Sequence, residues 1–249
     1  EFNLDYLKYG SKKYKKKNIQ KILNFKKLRT FTKDRIQYKN LDPWVQSVSI
    51  NTGKLSQKHK IYNLGQRVPG KTIQIWDVLS RKGIKCAIWG TMNSILKKNK
   101  NIELYFPDPW NFRNEVYPNK LKYLFFLPHY YAKNYLKYSK IKFFFLSFLF
   151  LFGLLIYKSF FYFVKNFFWL IKITSRKGFN NYILFFLYDL VSLNIFSEFN
   201  KKKKLKFGLI FLNSIAHFQH NNWDEIKNEK DFFFFADEIC EKILILSKK

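Results

Sequence analysis

Residues 211–223 read FLNSIAHFQHNNW, which sets His217 and His220 three positions apart just beyond an apolar run. Imidazole is the commonest protein ligand for transition metals and the usual proton carrier near neutral pH, and the chain has only four histidines. Two histidines do not complete a site. A catalytic zinc takes three protein ligands at about 2 Å plus an open position, and a two-metal phosphoester centre takes roughly twice as many ligands, mostly carboxylates. The competing reading is a helix face on which the two imidazoles hydrogen-bond beside Trp223 and hold no metal. Of the other two histidines, His59 reads as a structural hydrogen-bonding residue and His129 is uninformative.

The elements that must position the pair are readable around it. LKFGLIFLN, 205–213, carries Phe207, Leu209 and Phe211 on one face and Ile210 and Leu212 on the other, the pattern of a fully buried strand with Asn213 at its carboxyl end. In open α/β sheets ligands sit beyond the carboxyl ends of the strands, so Asn213 and the residues after it are where chemistry is expected. A second such strand is predicted at 84–89, in IKCAIWG. It follows TIQIWDVLSRK, a helix over 72–82 whose Ile73, Trp76 and Leu79 recur at three-residue steps and which Gly83 ends. Helix, glycine, buried strand is half of a doubly wound unit. The expected fold class is therefore α/β, a mainly parallel sheet flanked by helices, with 84–89 and 206–212 parallel in one sheet. Before this, Pro43 opens and Gly53 closes a predicted helix, and the first forty residues read as lysine-rich surface helices. Residues 101–128 read as loop, with Asp108-Pro109 a turn and a loop over an active site as the alternative. ADEICEKILILSKK reads as a closing helix.

The formal charge of +29 raises the question of nucleic acid or anionic lipid. The basic residues are forty lysines but only six arginines, beside 30 phenylalanines and many asparagines, isoleucines and tyrosines, a composition that AT-rich codons produce. Direct readers of nucleic acid lean on arginine, and lysines spread over the whole chain more often form a solvated surface, so a nucleic-acid partner is disfavoured. Cys86 and Cys240 stand far apart in no metal-binding spacing, which fits buried thiols in a reducing compartment and a cytoplasmic protein with or without membrane attachment. The chain opens Glu1-Phe2-Asn3 and its only methionine is Met92, so a piece of a longer chain is expected.

Residues 130–200 form a hydrophobic insertion predicted to be helical. Its uninterrupted part, Phe143–Tyr157, has fifteen residues, short of the roughly 20 that cross a bilayer. Lys158, Lys165 and Lys172 recur every seven residues, placing them along one side of a helix. Attachment to a membrane surface, packing on the domain, and a true span from about 141 to 165 all remain open. The lysine run 201–204 reads as a solvated turn.

Three stretches also carry a family resemblance. LDPWVQSVSINTGKLSQKHKIYNLG resembles the proline-to-Thr-Gly block of the alkaline phosphatase superfamily, above all its type I phosphodiesterase/nucleotide pyrophosphatase members, with Thr52, Gly53 and His59 at the matching positions. IWDVLSRKGIKCAIWGTMNS is similar to the helix and strand that follow, and FGLIFLNSIAHFQH to a strand followed by an Asp-x-x-x-His metal motif. The resemblance implies one partial alkaline-phosphatase-like domain over 1–249, acting on a phosphoester of phosphodiester or nucleotide type through a divalent metal, zinc or manganese. It implies a metal site at Asn213, His217 and His220, with Asp42 and Asn93 as substrate-loop candidates. Two departures stand out. Asn213 occupies the position of the motif's aspartate, and Leu41 that of the family's threonine or serine nucleophile, leaving the catalytic residue unknown; Thr30 and Thr32 lie nearby in sequence only. The remaining metal ligands would lie outside these 249 residues. The alternatives are a degenerate homologue that binds a phosphorylated small molecule, and a membrane-associated protein acting on lipid or glycan head groups.

Overall fold

A computed structural model describes residues 4–26, 42–111, 113, 115–174, 182–222 and 229–247. The chain folds as two compact units. A sheet unit contains 30–158 and 198–211, and a helical unit contains 1–29, 159–197 and 212–249.

In the sheet unit, α3 (Pro43–Thr52) begins on its predicted proline and ends on Gly53 at φ 64, and α4 (Ser56–His59) follows it. The strands are β1 (Cys86–Thr91), β2 (Ile102–Pro107) and β3 (Phe207–Ile210), all parallel in the order β2-β1-β3. The two predicted strands are thus neighbours in one sheet, with Cys86 opposite Phe207 and Trp89 opposite Ile210. Helix α5 (Ile75–Arg81) leads into β1 through Gly83 at φ 81. There the Ile84 N–H donates to the Leu79 carbonyl (3.1 Å) and the Gly83 N–H to Ser80 (3.1 Å), so a left-handed glycine satisfies carbonyls the helix leaves over.

Both faces of the sheet are covered. Trp76, Cys86, Ile88, Ile102 and Tyr105 form a buried cluster with Leu79 on the α5 side. On the other side Trp89 stacks on Phe106 (4.2 Å), which meets Phe125 edge-on (5.4 Å) from α6 (Lys122–Asn134). α7 (Lys140–Ile156) then packs on α6, where a Cβ on Gly153 would lie 2.8 Å from Leu124 Cδ2.

Several expectations need correction. Residues 101–128 are not loop throughout: IELYFP is β2, and Pro128 lies inside α6. β2 escaped detection because a bulge skips Glu103, so Cys86 and Ala87 face Ile102 and Leu104 and simple alternation fails. The released Glu103 meets Lys203 at 3.0 Å. β3 is not fully buried. It is an edge strand, and Phe211 just beyond it is 37% exposed. A strand apolar on both sides needs a neighbour beyond it to be buried, and β3 pairs only with β1 among the described residues. The hydrophobic run is not one helix either: Lys158 at φ 55 separates α7 from α8 (Phe160–Thr174), so it leaves the lysine stripe. Lys165 is exposed on α8, and the Lys172 side chain lies outside the described residues. Lys201–Lys203 end α9 (Tyr182–Lys203), and Lys204 at φ 50 makes the turn.

The helical unit holds α1 (Leu4–Lys13), α2 (Lys17–Leu23), α8, the first part of α9, α10 (Ser214–Asn222) and α11 (Glu229–Ser247). Phe232, Phe233, Phe235, Ala236 and Ile239 of α11 are buried. Asp237 of α11 accepts the N–H groups of Asn18 (2.9 Å) and Ile19 (3.0 Å) and the Asn18 amide (3.0 Å), capping α2 from another helix. Asp237→Ala is expected to cost about 2 kcal/mol by leaving those donors without their acceptor. Chemical denaturation measures it, and an unchanged midpoint would remove the capping role. Cys86 and Cys240 are free and buried, and burial pushes the thiols up to about 11 and about 12.

Candidate functional site

Because β1 and β2 are parallel neighbours, both release their carboxyl ends at one edge of the sheet. The turn after β1 is Met92-Asn93-Ser94 and that after β2 is Asp108-Pro109-Trp110-Asn111. Thr91, Asn93, Ser94, Asp108 and Asn111 are all buried, a concentration of polar groups that burial for packing alone would disfavour.

These groups fix one another. The Asp108 N–H donates to the Thr91 carbonyl (3.3 Å), and Asp108 Oδ1 accepts the Trp110 N–H (2.8 Å). Asn111 repeats the device, its Oδ1 accepting the Arg113 N–H (3.1 Å) while its amide donates to the Ser94 carbonyl (2.9 Å). The Ser94 hydroxyl donates to the Thr91 carbonyl (3.0 Å) and lies 2.8 Å from the Tyr105 hydroxyl. Asn93 sits at φ 43 and its amide donates to the Asn63 carbonyl (3.0 Å), which leaves Oδ1 buried with no partner among the described residues. Burial pushes the Asp108 carboxyl up to about 7.

His129 belongs to the same edge. Its Nδ1 donates to the Pro109 carbonyl (2.6 Å), its ring stacks on Phe125 (4.8 Å), and Nε2 is buried with no partner among the described residues. Burial lowers its pKa, which disfavours the charged ring. Linear spacing gives no sign of this role.

Beside the edge is a cavity of about 470 Å³ lined by Gln66, Arg67, Ser94, Asn111, Arg113 and Glu115, among others. Arg113 donates through Nη2 to the Val68 carbonyl (2.9 Å), while its Nε and Glu115 Oε2 are buried and find no partner among the described residues. Two of the six arginines in a lysine-dominated chain therefore meet at one cavity.

Asn213, His217 and His220 are in the helical unit. The His217 N–H donates to the Asn213 carbonyl (3.0 Å) in the first turn of α10. A third residue joins them that spacing did not suggest: Asp189 of α9 accepts the Ser214 N–H (2.8 Å) and the Asn213 N–H, holding a carboxylate at the start of α10. Burial nonetheless pushes Asp189 up to about 6. Phe185, one turn before Asp189, stacks face to face on the His217 ring (4.1 Å). The side chain of His220 lies outside the described residues. Among the described residues no three His, Cys, Asp or Glu side chains are grouped to hold a metal.

The first resemblance block falls on α3 and α4. The Asp42 carbonyl accepts the Val45 and Gln46 N–H groups (2.9 and 3.0 Å), and its side chain is exposed and makes no cap bond. Thr52 donates to the Val48 carbonyl (2.7 Å). His59 is structural, as expected: Nδ1 accepts the Ile61 N–H (3.0 Å) and Nε2 lies 3.0 Å from the Ser49 hydroxyl. Leu41, Thr30 and Thr32 lie outside the described residues. No family model, curated protein or solved structure matches the chain.

Proposed function

We propose that this chain is an alkaline-phosphatase-like protein that recognises a phosphoester, of phosphodiester or nucleotide type, at the carboxyl edge of β1 and β2. The observation that carries the reading is the pairing of a buried polar edge with an arginine-bearing cavity on a parallel sheet. Guanidinium matches phosphate oxygens in planar, bidentate fashion, which the far commoner lysine does not do. Glu115 Oε2 is an unused acceptor on the same cavity, suited to a hydroxyl of the ligand. The resemblance adds the class, since its second and third blocks fall on α5–β1 and on β3–α10, and β1 and β3 are parallel.

In that class a divalent metal, zinc or manganese, neutralises the phosphoryl oxygens and activates the nucleophile during hydrolysis or phosphotransfer. The described donors fall short of a dication site. Asn213 brings no charge, Asp189 is already engaged by two N–H groups, and His217 lies flat on Phe185. This favours a second reading, a phospho-ligand binder without turnover.

Calorimetry with adenosine monophosphate, beside turnover of bis(p-nitrophenyl) phosphate with zinc or manganese, tests both. Binding is expected to weaken about tenfold or more in Arg113→Met, the loss of a charge-assisted hydrogen bond. Turnover that needs added metal supports the hydrolase. Metal-independent binding without turnover supports the binder, and no binding at all overturns the phosphoester reading.

A further inference from the structure

Between Glu115 and Asp189 the sequence has no acidic side chain, yet it carries eleven lysines and arginines. α7 lies inside this stretch and is apolar on nearly every side. One side is accounted for: Phe150, Gly153 and Leu154 are buried, and Gly153 meets Leu124 of α6 at a separation no larger residue would allow. On the opposite side Ile141, Phe144, Phe145, Phe148, Phe152 and Leu155 are between 49% and 72% exposed. At 3.6 residues per turn these six fall within a stripe roughly 100° wide, centred opposite Phe150. Phe144 packs edge-on against both Phe145 (6.2 Å) and Phe148 (4.7 Å), so the exposed rings form one patch. Leu136, four residues ahead of the helix, is 84% exposed as well.

A contiguous apolar surface of this kind marks a docking site, and its surroundings indicate for what. Lys140 and Lys142 lie about 100° to either side of the stripe centre, flanking it, and Lys137 and Lys158 stand exposed at its two ends. A second copy of the chain would bring these lysines against their own equivalents with no carboxylate in the same stretch of sequence to offset them. An anionic lipid surface would take both the rings and the charges. A span by α7 alone does not fit, because seventeen helical residues reach about 25 Å against a hydrocarbon core of about 30 Å; of the described helices only α7 and α8 taken together, with their break between them, are long and apolar enough. Among the described residues no single helix is long and apolar enough to cross a membrane. We infer that the exposed face of α7 docks on an anionic bilayer. The helix lies in the interfacial plane, with its phenylalanines in the acyl boundary and its lysines at head-group level.

The test is flotation of the 249-residue chain with vesicles of phosphatidylcholine alone or mixed with phosphatidylserine. Co-flotation is expected only with phosphatidylserine, weakening as salt rises. Replacing Lys140 and Lys142 by glutamine should lower the partition coefficient about fivefold for each lysine removed. Phe144→Ser/Phe145→Ser/Phe148→Ser should lower it at least tenfold. These rings are exposed, so an unchanged circular-dichroism melt is expected and separates lost docking from lost folding. Equal flotation on uncharged vesicles, no flotation of the folded chain, or concentration-dependent dimers that the triple serine variant dissolves would each overturn the inference. So would retention in membranes through alkaline carbonate extraction.

Discussion

At pH 8 the Asp108→Asn variant is expected to be more stable than the unsubstituted chain by about 2–4 kcal/mol, and at pH 4 the two are expected to coincide. Burial holds the folded carboxyl up at about 7, against about 3.9 in an unfolded chain. Below pH 4 both states are protonated and the group contributes no pH dependence. As pH rises from 4 to 7 the unfolded chain releases the proton while the folded chain keeps it, so stability falls across that window. Above the folded pKa the loss is complete and the curve flattens. Asparagine keeps an Oδ1 to accept the Trp110 N–H and has no charge to desolvate, so the part of the slope that Asp108 causes should vanish. Urea midpoints at half-unit pH steps measure it. A residual slope between pH 4 and 6 is expected from Asp189, which burial raises to about 6 with the same sign. An Asp108→Asn variant less stable than the parent at pH 8 would show that the buried carboxyl is not a net cost to folding.

A buried acid just past the end of a β strand is a feature that packing alone disfavours, and it bears on the phosphoester reading. The Asn111 N–H donates to the Asp108 carbonyl (2.9 Å), so Asp108 helps to set the cavity-lining Asn111. While protonated it adds no negative charge near an incoming phosphate.

Local rules with a backbone mechanism carried from sequence to structure. Pro43 and Gly53 bound α3, Gly83 turns α5 into β1, and the two apolar runs pair in parallel, because each depends on φ preference or on the apolar pattern of the strand, although of the two only β1 is buried on both faces. What depends on partners distant in the chain was not legible. Asp108-Pro109 is the turn its residue types predict, but nothing in the dipeptide says that the carboxyl is buried or that His129, twenty residues on, holds the Pro109 carbonyl. Asp189 reaches the start of α10 from twenty-five residues upstream, from within an apolar helix whose pattern gives no sign of that role. α7 shows a different limit. A helix apolar all round has no periodic contrast, so the covered face and the bare face could be told apart only once Leu124 was seen against Gly153.

Gly90 offers a test of how closely the sheet and the candidate site are tied. It sits at φ 72 inside a bulge of β1, between Trp89 opposite Phe106 and Thr91 opposite Pro107. A Cβ there would lie 2.6 Å from the Phe211 carbonyl oxygen on the chain leaving β3, a backbone atom that cannot swing aside. Gly83, at φ 81, has the same left-handed backbone but nothing within 4 Å of where its Cβ would be. Gly83→Ala should therefore cost only the conformational strain, about 1–2 kcal/mol, and Gly90→Ala that strain plus the clash, about 2–4 kcal/mol in all. The difference between the two denaturation midpoints isolates the close approach of β3 to β1. Relief of the clash must also move either the Phe211 backbone or the segment that runs from Thr91 to the cavity-lining Ser94. Adenosine monophosphate should therefore bind more weakly to Gly90→Ala and unchanged to Gly83→Ala. Equal losses of stability in the two variants, with binding intact in both, would mean that the bulge places neither β3 nor the site.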